Sequence, residues 1–275
     1  MALSSTQPLN VGNVVTTAFQ LYKNRFKPYF LLALKAYFWL LVPVYGWAKF
    51  CATSALISRL VYGELVNQPE TIKDGTRYVN SKLWEFLVAA IILGLIVVGA
   101  YIVFAIAAGI AAVFGGLVFS TGGNGALTGI AFVIAAIAFI ALFVVFLLIL
   151  VRFYVYEVPL AIEDNINATS TISRSWELTK GFVGRILLIS FVALLITLPI
   201  LILGQVVSAT LQSSFAVLIE QQSILSLPLV ILNLGLNFAL GAVQLPFTQA
   251  VKAVIYYDLR TRKEGLGLNL RDRNI

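Results

Sequence analysis

Histidine, cysteine and charge are scarce in this 275-residue chain. It has no histidine and one cysteine, Cys51, which excludes an intramolecular disulfide and any zinc, iron–sulfur or haem site built on histidine or several cysteines. Charged residues make up 11%, against about a quarter in soluble domains, and 60% of residues are hydrophobic. The composition predicts a chain embedded mostly in a membrane. Cys51 lies in an apolar run and is predicted to be a buried packing residue.

The longest charge-free stretch is Phe86–Val151, which holds 66 residues without Asp, Glu, Lys or Arg. About 20 apolar residues cross the hydrocarbon core as a helix, so this stretch predicts two spans and a turn. Gly115-Gly116 and the stretch Gly122-Gly123-Asn124-Gly125 favour a turn between the two spans.

The other apolar runs fall into two further pairs. The sequence therefore predicts an all-α, polytopic transmembrane helix bundle of about six spans in a single domain of residues 1–275. The first two spans are short, and a re-entrant or tilted pair is an open alternative there. Residues 1–10 lack a charged region followed by an apolar core, so no cleavable signal peptide is predicted. The predicted spans are 28–42, 45–62, 86–114, 126–151, 186–206 and 225–257.

Lys and Arg residues concentrate in alternate connections, a pattern that predicts both termini in the cytoplasm. The triplet Asn167-Ala168-Thr169 has the form of an N-glycosylation site, but it would then lie on the cytoplasmic side, where it is not expected to be glycosylated. The basic residues of these connections are Lys23, Arg25, Lys27, Lys73, Arg77, Lys82, Arg152, Arg174, Lys180, Arg185, Arg260, Arg262, Lys263, Arg271 and Arg273.

A short amphipathic segment precedes each pair of spans, predicted as interfacial helices over 11–24, 70–83 and 167–180. In each segment an aromatic residue stands four positions before a lysine, which places ring and ammonium on one helix face at the headgroup layer. The pattern predicts three repeats of an interfacial helix plus two spans. The alternative is coincidence, because aromatic residues and lysines flank many membrane borders. The pairs are Phe19 and Lys23, Tyr78 and Lys82, and Trp176 and Lys180.

Two stretches carry a family resemblance. The segment from Glu163-Asp164 to Trp176-Glu177-Leu178-Thr179-Lys180-Gly181, and the end Tyr256–Leu266, resemble motifs of a bacterial six-helix integral membrane family. That family includes the membrane domain attached to some glycerophosphoryl diester phosphodiesterases. The resemblance implies six helices in a bacterial inner membrane, although an internal membrane stays open. It does not imply activity, because the phosphodiesterase activity belongs to a separate soluble domain. Gly267 departs from the motif, which usually has Asp.

Charged residues near or within spans are the candidate sites. Lys35 lies roughly 10 Å into the first predicted span and either snorkels to the interface or meets an anionic group. Lys49, Arg59 and Lys252 sit nearer the span ends, where snorkelling is the simpler interpretation. An acidic cluster (Glu157, Glu163 and Asp164) is predicted to pair with Arg174 and Arg185, with cation binding as the alternative. In the tail, Asp258 and Arg262 are spaced for an i,i+4 pair, and Gly265 is predicted to end the helix.

No catalytic set, metal motif or phosphate loop is apparent, so the sequence predicts a non-enzymatic protein without a cofactor. The leading hypothesis is a scaffold or accessory subunit that contacts anionic lipid on the cytoplasmic side. Its partner would be a membrane protein or another copy of the chain, with no nucleic acid. The alternatives are a transporter or channel for a lipid-like or small anionic solute, favoured by prolines within spans, and a membrane-embedded lipid enzyme. The candidate contacts are Lys35, Arg152, Lys23, Lys82, Lys180, Arg260, Arg262 and Lys263.

Overall fold

The computed structural model describes residues 9–120, 125–214 and 226–265, and all regular secondary structure in these ranges is helical. The predicted features at 1–8, the glycines at 122–123, the span start at 225, and the tail residues Gly267, Arg271 and Arg273 lie outside the described residues. The helices are α1 Val11–Asn24, α2 Phe26–Trp39, α3 Tyr45–Leu65, α4 Ile72–Ser81, α5 Leu83–Ser120, α6 Gly125–Arg152, α7 Glu157–Ile162, α8 Ala168–Thr179, α9 Val183–Ser214 and α10 Ser226–Glu264.

Four helical segments are long and apolar enough to cross a membrane: Leu83–Leu117, Phe132–Ile162, Val183–Ser213 and Leu227–Glu264. Many of their large apolar side chains face outward; Phe132, for example, is 74% exposed. A soluble protein would expose this surface to water at high cost, whereas lipid tails accommodate it. The chain is therefore an all-helical protein with the build of a multi-pass membrane protein.

Helices α2 and α3 form a hairpin that stops partway along the bundle. With 14 residues, α2 is about 21 Å long, shorter than the roughly 30 Å hydrocarbon core. Near the tip of the hairpin the Tyr37 ring packs 5.6 Å from that of Phe238, and α10 continues about 18 Å beyond this contact to Ser226. Neither α2 nor α3 is among the four candidate spans. Six spans are not confirmed.

The two ends of the described chain meet at one end of the bundle. The backbone N–H of Leu9 donates to Asp258 Oδ1 at 2.9 Å, six residues before α10 ends. This end, formed by Leu9, α4, α7, α8 and the last two turns of α10, is called the charged end. The opposite end, where α5, α6, α9 and α10 approach the undescribed connections, is called the far end.

Helix α1 lies antiparallel along α10. Its N-cap Asn10 accepts from the N–H of Asn13 at 2.7 Å, and Val14, Ala18 and Tyr22 are buried. The Tyr22 hydroxyl donates to the Val243 carbonyl at 2.9 Å. A helix is therefore present over the predicted residues 11–24, and its buried residues pack against another helix of the bundle rather than facing lipid.

The three predicted aromatic–lysine pairs behave differently. In α4 the Lys82 ammonium lies 4.9 Å from the Tyr78 ring and donates to its hydroxyl at 2.9 Å. The Trp176 ring instead stacks with Arg152, and Phe19 packs against Phe247. A short helix with a side-chain N-cap precedes each of the pairs α2–α3, α5–α6 and α9–α10, but the threefold repeat is not confirmed.

Candidate functional site

The eight predicted contact residues occupy three environments. Two are exposed on α1 and α2, three are bound into the packing of the charged end, and three gather at the C-terminus of α8. In that order they are Lys23 and Lys35; Lys82, Arg260 and Arg262; and Arg152, Lys180 and Lys263.

Asp258 is the centre of a clasp that joins α1, α9 and α10. Its carboxylate is 3% exposed and lies 3.1 Å from Arg185 and 3.0 Å from Arg262. Both guanidinium groups also donate to the Leu9 carbonyl. The predicted i,i+4 pair of Asp258 with Arg262 is confirmed. As predicted, α10 ends directly before Gly265, whose φ of +63° suits glycine.

Glu163 is a second centre, between α4, α8 and α10. Its carboxylate pairs with Arg174 at 3.1 Å and accepts from the Tyr256 hydroxyl. Its backbone carbonyl accepts from the Tyr78 hydroxyl at 2.9 Å and from Lys82 at 2.7 Å. The predicted pairing of the acidic cluster with Arg174 is thus confirmed. The pairing with Arg185 is wrong, because Asp258 takes that guanidinium.

Burial at this second centre shifts the side-chain ionisation. It raises the pKa of Tyr78 to about 12, with the nearby Asp164 carboxylate adding to the effect. It also lowers the pKa of Lys82 below its ordinary value. Burial alone would lower the pKa of Arg174, but Glu163 and Glu264 raise it. These cations are committed to internal partners, which leaves them unsuited to capture an external anion.

Arg59 is a bridge between α3 and its neighbours. It pairs with Glu70 at 2.6 Å, donates to the Ala161 carbonyl at 2.7 Å, and its guanidinium lies 3.8 Å from the Tyr78 ring. The sequence predicted snorkelling for this residue. The structure shows that protein groups satisfy the charge.

A buried polar cluster lies where α3, α7 and α10 meet. Glu157 Oε1 accepts from Lys252 at 2.5 Å and from the Gln249 amide at 2.9 Å. The Gln249 amide oxygen in turn accepts from the Ser58 hydroxyl at 2.5 Å. Sequence reasoning named Glu157 and Lys252 separately and missed Ser58 and Gln249, because these residues are far apart in the chain. In the described residues no group of three acidic or cysteine side chains is placed to hold a metal ion.

The third environment, called the α8 patch, consists of Arg152, Lys180 and Lys263. Arg152 donates to the Trp176 carbonyl at 3.3 Å, and Lys263 donates to the Glu177 carbonyl. These are last-turn carbonyls of α8, where the helix dipole favours cations. Lys180 follows the helix directly.

Aromatic rings flank the α8 patch. The Trp176 ring lies 4.6 Å from the Arg152 guanidinium, and Phe182 lies 5.9 Å from the Lys263 ammonium. None of the three cations forms an ion pair with a carboxylate of the described chain. Three cations beside an exposed tryptophan have the chemistry to bind a phosphate group at a membrane interface.

A family model described as a domain of unknown function (DUF7847) matches residues 70–259, which is 190 of the 275 residues. The chain belongs to this family. Comparison with curated proteins and with solved structures gave no match. The matched DUF7847 region begins just before α4 and ends within α10. It includes Arg152, Lys180 and all of the buried polar cluster except Ser58, while Lys263 follows it by four residues.

Lys35 lies outside the DUF7847 match, in a groove of about 490 Å³ on α2. Leu31, Leu34, Phe38 and Trp39 line the groove with it. Among the described residues Lys35 has no carboxylate partner. The structure therefore places Lys35 and Arg152 in separate sites, on α2 and at the end of α6.

Proposed function

We propose that this protein is a non-enzymatic, multi-pass membrane protein that binds anionic lipid at its charged end and serves as a scaffold or accessory subunit. The observation that carries the proposal is the α8 patch. Arg174, Arg185, Arg260 and Arg262 are paired with carboxylates, whereas Arg152, Lys180 and Lys263 are not. A lipid phosphate would supply the missing anion.

The proposed orientation puts the charged end in the cytoplasm of a bacterial inner membrane. Basic residues favour that side of the membrane. We place α2 and α3 as the re-entrant pair, and the three capped short helices as the starts of three modules. The resemblance to the membrane domain of phosphodiesterases stays a prediction.

The carboxylates of the charged end support a structural role. Glu157, Glu163 and Asp258 each accept from a cation and from at least one further donor. Each of these carboxylates accepts from donors on other segments of the chain, so it ties neighbouring segments together, which suits a structural role.

Lipid retention tests the α8 patch. The triple variant Arg152→Ala, Lys180→Ala, Lys263→Ala is compared with the wild type by titrating phosphatidylglycerol against the purified protein in native mass spectrometry. Each basic residue contributes about 1 kcal/mol to contact with anionic lipid, so we expect the affinity to fall at least tenfold.

The matched control removes the same charges from exposed, unpaired positions: Lys27→Ala, Lys73→Ala, Arg77→Ala. We expect this variant to keep at least half of the wild-type affinity. Equal losses in both triples would mean diffuse electrostatic attraction and would contradict a site at α8.

The Lys35 groove favours transport of a lipid-like or small anionic solute as the second candidate. One cation in an apolar groove suits an anionic amphiphile. Flux across liposomes of the wild type and of Lys35→Ala tests it, because transport through this groove requires wild-type flux that the substitution reduces. No flux of any solute in a broad anionic panel excludes this function.

A further inference from the structure

Amide side chains are segregated within the four candidate spans. The described spans contain six Asn or Gln residues, all on α9 and α10 and none on α5 or α6. One of them, Gln249, is bonded to Glu157. The other five line a single cleft between α9 and α10: Gln205, Gln212, Asn233, Asn237 and Gln244.

The cleft consists of two cavities that share Asn237. The smaller, about 140 Å³, is lined by Gln205 and Gln244. The larger, about 410 Å³, lies toward the far end and is lined by Gln212 and Asn233. The larger volume falls within the range of small-molecule sites.

The helices touch at Gly204, where an added Cβ would lie 2.6 Å from the Leu240 side chain. One turn further along α9, the hydroxyl of Ser208 is buried and has no hydrogen-bond partner. Buried hydroxyls almost always have a partner, and a polar group is costlier still inside a membrane. Ser208 is four positions from both Gly204 and Gln212 and so shares their face of α9, which places this unsatisfied hydroxyl next to the cleft.

The chemistry of the lining restricts that ligand. Among the described residues, no charged side chain lines either cavity, so these residues offer an ionic headgroup no counter-ion. Amides donate and accept hydrogen bonds, while Leu211, Leu229 and Val230 give the larger cavity an apolar wall. The cleft is concave. A second copy of the chain would present the same concave face and would leave the cleft unfilled, so a small molecule fits it better.

We infer that the α9–α10 cleft binds an uncharged membrane lipid through its hydroxyl or ester oxygens. This site lies toward the far end, away from the α8 patch, and does not depend on the proposed function. Its ligand chemistry is that of a diacylglycerol, with acyl chains along the apolar wall. Asn237 Nδ2 already donates to Asn233, so Asn237 Oδ1 would accept from the lipid hydroxyl, and the neighbouring amides would donate to the ester oxygens.

The test uses a photoreactive diacylglycerol probe with the full-length protein in phosphatidylcholine nanodiscs. We expect wild-type crosslinks to map to residues 200–212 and 229–244, and excess unlabelled diacylglycerol to suppress them. Asn237→Leu should lower the labelling at least fivefold. Thr210→Val removes a hydroxyl from the same helix, outside the cleft lining, and should leave the labelling unchanged.

The crosslinks of the wild-type protein can overturn the inference by themselves. The test therefore does not depend on whether the variants fold. Crosslinks outside the cleft, or labelling that unlabelled diacylglycerol does not suppress, contradict a site here. A wild-type dimer that Asn237→Leu dissociates, without cleft labelling, would make this face a subunit interface and overturn the inference. The α8 triple variant should keep full labelling, which separates failure at one site from failure at the other.

Discussion

At the residue scale, the charged end is held by ion pairs, some within one helix and others between residues that are distant in the chain. Asp258 with Arg262 was predictable because four residues separate them on one helix. Glu157 with Lys252 was not, because 95 positions separate them and no local spacing joins them. The acidic cluster was visible in sequence, but only the packing of α7 against α3 and α10 decided which cation each carboxylate takes.

The Glu157–Lys252 pair gives a prediction about stability. Glu157 is 8% exposed and Lys252 16%, so removing one partner leaves an uncompensated buried charge. Lys252→Met should destabilise the protein by about 3–5 kcal/mol. The double variant Glu157→Gln, Lys252→Met should recover part of that loss, because no buried charge is then left without a partner.

The measurement for this pair is denaturant unfolding in detergent, followed by tryptophan fluorescence. Lys73→Met, an exposed lysine on α4, is the control and should stay within about 0.5 kcal/mol of the wild type. If Lys252→Met behaved like that control, the pair would not contribute to the fold.

At the element scale, helix positions were more predictable than helix roles. The segment 11–24 is helical over the predicted residues because its apolar positions recur at helical spacing and Asn10 caps it. That spacing does not tell whether the apolar face meets lipid or protein; in α1 it meets α10. The six-residue α7 gave no periodic pattern and was missed. The α2–α3 turn falls between the predicted spans 28–42 and 45–62, but those spans did not predict how closely its backbone packs.

Gly46 carries the prediction at this scale. A Cβ at this position would lie 1.8 Å from the carbonyl oxygen of Trp39, a backbone atom that cannot move aside without opening the turn. Gly46→Ala should therefore destabilise the protein by about 1–3 kcal/mol, the range for overpacking a tight site. Unfolding in detergent measures the loss.

Gly94→Ala is the matched control, because nothing lies within 4 Å of a Cβ built there. It lies inside α5, so alanine should be neutral or stabilising by up to about 1 kcal/mol. A Gly46→Ala variant as stable as Gly94→Ala would contradict the close approach of α2 and α3.

At the scale of the whole molecule, the charge pattern predicts both termini on one side, and the contact of Leu9 with Asp258 brings the two ends of the described chain together. This agreement does not depend on the number of spans, because either four or six leaves the termini on the same side. What the sequence left open was the depth of the first pair. Apolar run length alone cannot separate a short span from a hairpin that stops beside Phe238.

The single cysteine makes that depth measurable. In a Cys51→Ala background, Lys73→Cys, Leu41→Cys and Ser213→Cys place one thiol at the charged end, the α2–α3 tip and the far end. A membrane-impermeant maleimide, applied to vesicles of either orientation, should label Lys73→Cys from the cytoplasmic side only and Ser213→Cys from the outside only. A re-entrant tip lies in the hydrocarbon, so Leu41→Cys should react from neither side until detergent is added. Labelling of Leu41→Cys from the outside would establish six spans instead, because a thiol reaches external water only if α2 crosses the whole bilayer.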